Sequence, residues 1–347
     1  MRITALGKPF YNYPKSTVMN KRMSISAPNT MGADIFCFTG ALKSDKVSII
    51  PATKDTYLST QIAKKTKIDS TETDVKKFKN GEIYVNINGD MYGKDVYLMP
   101  SVNENVNDGL METYLKADAA KRAGANKVIA IMPSFNYARQ EKRTESGEPL
   151  AAKLNMDLLK TAGVDAIITA DLHTPALEGF AKNDLHIAHL ESMPLVKKYI
   201  EQKGIEDLVI VSPDLGGTKR ADKLAKSLNC DKAIIYKHRQ AHNQATAEDL
   251  IGDVEGKNCV IYDDIIDTAG TIAEAAKLLK KKGAKDIYIC ASHGLFNGDA
   301  MKNLQEAPVK EVIVTNSMPK KDNLIDKIKY IDISEQIVDA MEKISDN

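Results

Sequence analysis

From Val47 onward, short runs of apolar, β-favouring residues alternate with stretches whose apolar positions recur at helical spacing. VSII leads into TYLSTQIAKKTK. DVYLMP leads into NDGLMETYLKADAAKRAG, where Leu110, Tyr114 and Ala117 fall on one stripe of a helix. KVIAIMP, LAAKLNMDLLKTAG, AIITAD, LVIVSPD, TKRADKLAKSLN, KAIIYKHR, NCVIYDD, TIAEAAKLLKKKG, DIYICASHG and EVIVTNS continue the alternation, and SEQIVDAMEKI closes it as a last helix. Strands alternating with helices predict an α/β protein with parallel sheets covered on both faces. The strands are apolar throughout, as strands buried on both sides must be.

The pattern runs twice. Two doubly wound domains are expected, one over residues 46–191 and one over residues 192–347 including the final helix. Pro194 marks the boundary by opening a new helix. A chain of 347 residues is long enough for two such cores. The first 33 residues contain no Asp or Glu but hold Arg2, Lys8, Lys15, Lys21 and Arg22. Residues 1–45 are therefore read as an extension, equally compatible with an organelle transit segment and with a disordered tail.

Composition adds exclusions. A net charge of +1 offers no general attraction to nucleic acid or to a membrane surface. No run approaches the roughly 18 apolar residues of a membrane span. Four scattered cysteines lack metal-ligand spacing and point to reduced, buried thiols and a cytoplasmic setting, with organelle import left open by the extension.

The segment CVIYDDIIDTAGTI carries the first candidate chemistry. Its apolar run is expected to be a strand, DDIIDTAGT the loop at its carboxyl end, and TIAEAAKLLKKKG the next helix, with Thr271 near the N-cap. Ligands gather at the carboxyl ends of strands in such sheets. Backbone N–H groups of a Gly-containing turn at a helix start cradle an anion, and Thr268 and Thr271 add hydroxyl donors. Asp263 and Asp264 would repel that anion if they faced it. They make sense as acceptors of sugar hydroxyls or as metal-binding groups. A sugar phosphate satisfies both ends.

VIYDDIIDTAGTI resembles the loop that binds phosphoribosyl pyrophosphate in phosphoribosyltransferases and in phosphoribosyl pyrophosphate synthetases. KFKNGEIYVNI, the long segment ending YARQEKR, TADLH, IVSPDLGGTKRADKLA and ASHGLF resemble the synthetase family in order and spacing, over about residues 47–345. The resemblance implies two phosphoribosyltransferase-like domains and a reaction in which the anomeric hydroxyl of ribose 5-phosphate takes the pyrophosphoryl group of Mg²⁺-bound ATP, releasing AMP. It implies ATP contacts at Phe78, Asn80, Glu82, Arg139 and Gln140, the first three reaching a neighbouring subunit. It implies metal contacts at His173 and Asp214. It places the acceptor at Asp263, Asp264, Asp267, Thr268, Ala269, Gly270 and Thr271, and catalytic charge at Lys237 and Arg239. At least a dimer follows, with a hexamer expected by resemblance. From the residues themselves, Arg139, Lys142 and Arg143 beside residues 144–149 suggest a mobile basic lid over polyphosphate.

The chain departs from the family pattern after His173 and at several earlier positions. Ala188 and His189 stand where an Asp-Asn pair is usual, Tyr92 and Gly147 where arginines are usual, and Thr144 where an acid is usual. The departures after His173 leave room for a larger ribosyl acceptor such as ADP-ribose. A catalytically weak regulatory subunit is a further alternative, against which stand Lys237, Arg239, His173, Asp214 and the unbroken DDIIDTAGT.

Overall fold

The computed structural model describes residues 42–53, 57–101, 105–181, 184–239 and 246–346, with backbone only at 237–239 and 246–248. The first half is a five-stranded, all-parallel sheet in the order β1-β4-β5-β6-β7. Its strands are β1 (Val47–Ile50), β4 (Asp95–Leu98), β5 (Lys127–Ile131), β6 (Ala166–Ala170) and β7 (His186–Leu190). Helices α1 (Tyr57–Thr66), α2 (Val106–Arg122) and α3 (Ala151–Thr161) connect them. A separate antiparallel hairpin joins β2 (Thr73–Lys77) to β3 (Ile83–Ile87).

The second half is a seven-stranded sheet, ordered β10-β9-β8-β11-β12-β13-β14. Its strands are β8 (Leu208–Ser212), β9 (Asp231–Arg239), β10 (Thr246–Ile251), β11 (Asn258–Ile266), β12 (Ile287–Gly294), β13 (Glu311–Thr315) and β14 (Ile328–Ile331). Only the β9–β10 pair is antiparallel. Helices α4 (Met193–Lys203), α5 (Thr218–Leu228), α6 (Gly270–Lys281), α7 (Ala300–Glu306) and α8 (Ser334–Ser345) complete the chain. Pro194 lies in the first turn of α4, where its missing N–H costs nothing.

Nearly every residue of the central strands is buried. Val128, Ile129, Ala130 and Ile131 in β5 and Val209, Ile210 and Val211 in β8 are all fully covered. Helix α8 belongs to the second half in sequence, yet its apolar stripe packs on the first sheet. Ile333, Ile337, Met341 and Ile344 share a core with Tyr97, Ile129 and Ile168. The buried Tyr97 hydroxyl donates to Met341 O at 2.7 Å, and Lys127 Nζ donates to Ile344 O at 2.9 Å. The chain thus returns from its second half to close the first.

Truncating Met341, fully buried in that seam, to Ala should destabilise the protein by about 2–5 kcal/mol, the usual cost of a core cavity. Urea unfolding measures it. A cost below about 0.5 kcal/mol, typical of surface positions, would mean that α8 does not help hold the first sheet.

Candidate active site

The carboxyl end of β11 is the centre of the site. The strand runs to Ile266 because its ladder with β12 continues through Ile266 opposite Gly294. Asp263 and Asp264 are therefore strand residues and not loop residues, which corrects the reading from sequence. Asp264 is buried and Asp263 partly so. Two hydrogen-bond donors bring that burial within reach. Arg220, in the first turn of α5, places Nη1 at 2.8 Å from Asp263 Oδ1 and 3.2 Å from Asp264 Oδ1. His173, just beyond β6 of the other sheet, holds Nδ1 at 2.8 Å from Asp264 Oδ2.

These contacts push the two acids apart in proton affinity. Burial, joined by the neighbouring Asp264, raises Asp263 to about 7 against the pull of Arg220. Burial acts to raise Asp264 too. There the His173 hydrogen bond and the Arg220 charge win, and its carboxyl is held well below the usual range. The same hydrogen bond raises the His173 ring above its ordinary range, with burial opposing.

Beyond β11 the chain turns through Asp267, Thr268 and Ala269. Ala269 adopts a left-handed φ of 60° and is the N-cap of α6 with no side chain capping the helix. Thr271, expected near the N-cap, is the second residue of the helix, two positions after the cap. The uncapped first-turn N–H groups are the donors an anion would use. The turn is pinned from several sides. Asn303 Nδ2 donates to Thr268 O at 2.9 Å, and Asn297 Nδ2 donates to Asp267 Oδ1 at 3.0 Å. Arg139, from the segment after β5, places Nη1 2.8 Å from Asp267 Oδ2. Arg139 and His173 of the first half thus both touch the 263–271 segment of the second.

Asp214 follows β8. Its Oδ1 accepts from Gly217 N at 2.9 Å, shaping the turn into α5. For a cation, His173 Nε2 and Asp214 Oδ2 are the atoms not engaged in these bonds. No group of three or more His, Cys, Asp or Glu among the described residues is arranged to hold a metal. Gln140 sits in a turn, its N–H bonded to Tyr137 O. The expected lid is folded on itself, with Thr144 N, Thr144 Oγ1 and Glu145 N all donating to Glu148 Oε2.

Phe78, Asn80 and Glu82 lie apart from this cluster, at the tip of the β2–β3 hairpin. Phe78 is 56% exposed, edge-on to Tyr84, and Asn80 Oδ1 accepts from Glu82 N. Lys237 and Arg239 lie in β9, but their side chains fall outside the described residues. A cavity of about 820 Å³ lies elsewhere, lined by Lys127, Asp165 and His186 at the amino ends of β5, β6 and β7, and by residues of α8.

Arg220 had no role assigned from sequence. It stands in the first turn of a helix, where a cation opposes the dipole. That misplacement is the signal that could have found it.

Parallel sheets whose strand ends carry paired acids, a left-handed turn and an uncapped helix make an arrangement suited to a phosphorylated sugar. The comparisons with known proteins identify the family. Residues 47–163 match the N-terminal domain of ribose phosphate pyrophosphokinase, and residues 240–347 match the phosphoribosyl synthetase-associated domain. A ribose-phosphate pyrophosphokinase of Fusobacterium nucleatum is 38% identical over 307 residues, 87% of this chain and 96% of that protein. One of Clostridium acetobutylicum is 40% identical over 290 residues, 83% of this chain and 90% of that protein. The crystal structure of phosphoribosylpyrophosphate synthetase from Mycobacterium smegmatis superposes with a TM-score of 0.81 at 36% identity, covering 87% of this chain and 99% of that one. The chain belongs to the ribose-phosphate pyrophosphokinase family.

The raised affinity of Asp263 gives a pH test. An unfolded aspartate titrates near 3.8 and the folded one near 7. The folded state therefore holds an extra proton between about pH 4 and 7, and this stabilising contribution is lost as pH rises through that window. Asp263→Asn cannot ionise, so its Tm relative to wild type should rise between pH 5 and pH 8. Thermal melts at both pH values decide it, and an equal difference at both would remove the buried-acid account.

Proposed function

We propose that this protein transfers the pyrophosphoryl group of ATP to the anomeric hydroxyl of ribose 5-phosphate. The oxygen of that hydroxyl bonds to the β-phosphorus, and the bond from the β-phosphorus to the oxygen bridging it to the α-phosphate breaks. The hydroxyl proton is lost and AMP leaves. The observation that carries this reading is the pair of contacts, Arg139 to Asp267 and His173 to Asp264, that bring first-half residues onto the 263–271 segment.

In this reading the N–H groups at 268–271 and the hydroxyls of Thr268 and Thr271 take the 5-phosphate. Asp263 and Asp264 accept from ribose hydroxyls, and Arg220 keeps the two acids from repelling each other. Asp267 holds Arg139 at the boundary, from which that guanidinium can turn to the polyphosphate. Gln140 lies next to it on the nucleotide side. Lys237 and Arg239 lie on alternate positions of one strand and supply positive charge to the transferred group. The two donors His173 and Asp214 are too few for a closed metal cage but suit Mg²⁺, which keeps waters and bridges substrate phosphates. That ion, when bound, screens the phosphate charge and fixes the triphosphate in line for attack.

The exposed ring of Phe78, with Asn80 and Glu82, is suited to grip adenine in a neighbouring copy, so we infer at least a dimer. Cys230, Cys259 and Cys290 are free thiols, in keeping with a reducing, cytoplasmic setting. No helix among the described residues is long and apolar enough to cross a membrane.

Purified protein with Mg-ATP and ribose 5-phosphate should release AMP, and Lys237→Ala should lower kcat by roughly 10²–10³-fold with the fold intact. AMP release with ADP-ribose but not with ribose 5-phosphate would move the acceptor. No AMP with either would overturn the reaction.

A further inference from the structure

The residues Ser292 and His293 of β12 take no part in the site described above, yet both reach across to the chain that presents His173. Ser292 Oγ lies 2.6 Å from Asp171 Oδ2. A carboxylate only accepts, so Ser292 donates. Its oxygen is then left to accept from Ser192 Oγ, 2.9 Å away. The result is a one-way chain of two hydroxyls, Ser192 to Ser292, ending on Asp171. Such chains polarise and strengthen each member. Ser192 and Ser292 are both fully buried. Ser192 N gives Asp171 Oδ2 a second donor at 3.0 Å.

His293 acts one residue earlier. Its Nε2 lies 3.1 Å from Ala170 O, the last carbonyl of β6, so Nε2 must carry the proton. Its Nδ1 is 2.8 Å from Ser317 Oγ, which holds the ring from behind. On the other side, Leu172 N donates to His189 Nε2 at 3.1 Å, which places the His189 proton on Nδ1, facing Glu178 Oε1. Four consecutive residues, 170 to 173, are thus each held by a polar partner from another element. The backbone at Asp171 explains the need. Its φ is 37°, a left-handed conformation that a non-glycine residue keeps only when its surroundings enforce it.

We propose that Ser292 and His293 are positioning residues for the transfer reaction: through Asp171 and Ala170 O they lock the 170–173 turn and so set where His173 stands against Asp264 and the incoming nucleotide. This rests on the reaction assigned above. Neither residue touches the reacting atoms. Their effect should therefore appear in turnover and not in substrate binding, because a displaced His173 misaligns the transition state more than it weakens the ground state.

The test is Ser292→Ala, with Ser292→Cys as a second variant that keeps the volume while offering only a weak donor. Whichever folds, as judged by its thermal melt, should show kcat down by roughly 10–100-fold with KM for ATP and for ribose 5-phosphate within about threefold of wild type. Amide exchange of a peptide covering residues 168–176 should speed up by roughly tenfold or more, while the rest of the protein keeps its protection. Unchanged kcat, or a loss confined to KM, overturns the positioning role. Unchanged exchange at 168–176 overturns the clamp. If wild type itself releases no AMP, the reaction assignment falls and the exchange measurement alone decides the clamp.

Discussion

Two neighbouring carboxylates at the end of a buried strand set the terms for this structure. Asp263 and Asp264 cannot both sit there as charges without compensation, since desolvation and mutual repulsion act on both. Arg220 and His173 supply the compensation, one from each half of the chain. The resulting cluster is polarised. Asp264 stays ionised under two donors, while Asp263 is pushed toward its protonated form. A protein selected for stability alone would place apolar residues here. Retaining the acids leaves oxygen acceptors where sugar hydroxyls can reach them, which is the use we propose for them.

The same cluster ties the halves together. Each half has its own sheet, but polar contacts around the candidate site cross between them: Arg139 to Asp267, His173 to Asp264, Ser292 to Asp171 and His293 to Ala170 O. The last helix crosses back as well, packing on the first sheet. A site assembled from two sheets needs both sides fixed to within fractions of an ångström. Buried hydrogen bonds with defined donors provide that better than apolar packing, which tolerates small shifts.

Much of the fold was legible because buried parallel strands leave long apolar runs. VSII, KVIAIMP, LVIVSPD and EVIVTNS all became strands. The strand β7 was not legible, because HIAHL carries two histidines at an edge of the sheet that faces solvent. Which core α8 joins was not legible either, since an apolar stripe states that a helix is buried without saying where. At the site, the turn and helix start over 267–271 could be read from their Gly and Thr residues. Asp263 and Asp264 were misplaced into a loop because burying two acids in a strand looks prohibitive until their partners are known. Those partners lie 43 and 91 residues away in sequence, from Arg220 to Asp263 and from His173 to Asp264, and no local pattern announces them.

The most direct measurement of this account is a crystal structure with ribose 5-phosphate and a non-hydrolysable Mg-ATP analogue bound together. The account predicts the 5-phosphate against the N–H groups of residues 268–271 and the ribose hydroxyls on Asp263 and Asp264. It also predicts the triphosphate on the Arg139 and His173 side. A phosphopentose bound away from the 263–271 segment, or a nucleotide occupying that segment in its place, would contradict it.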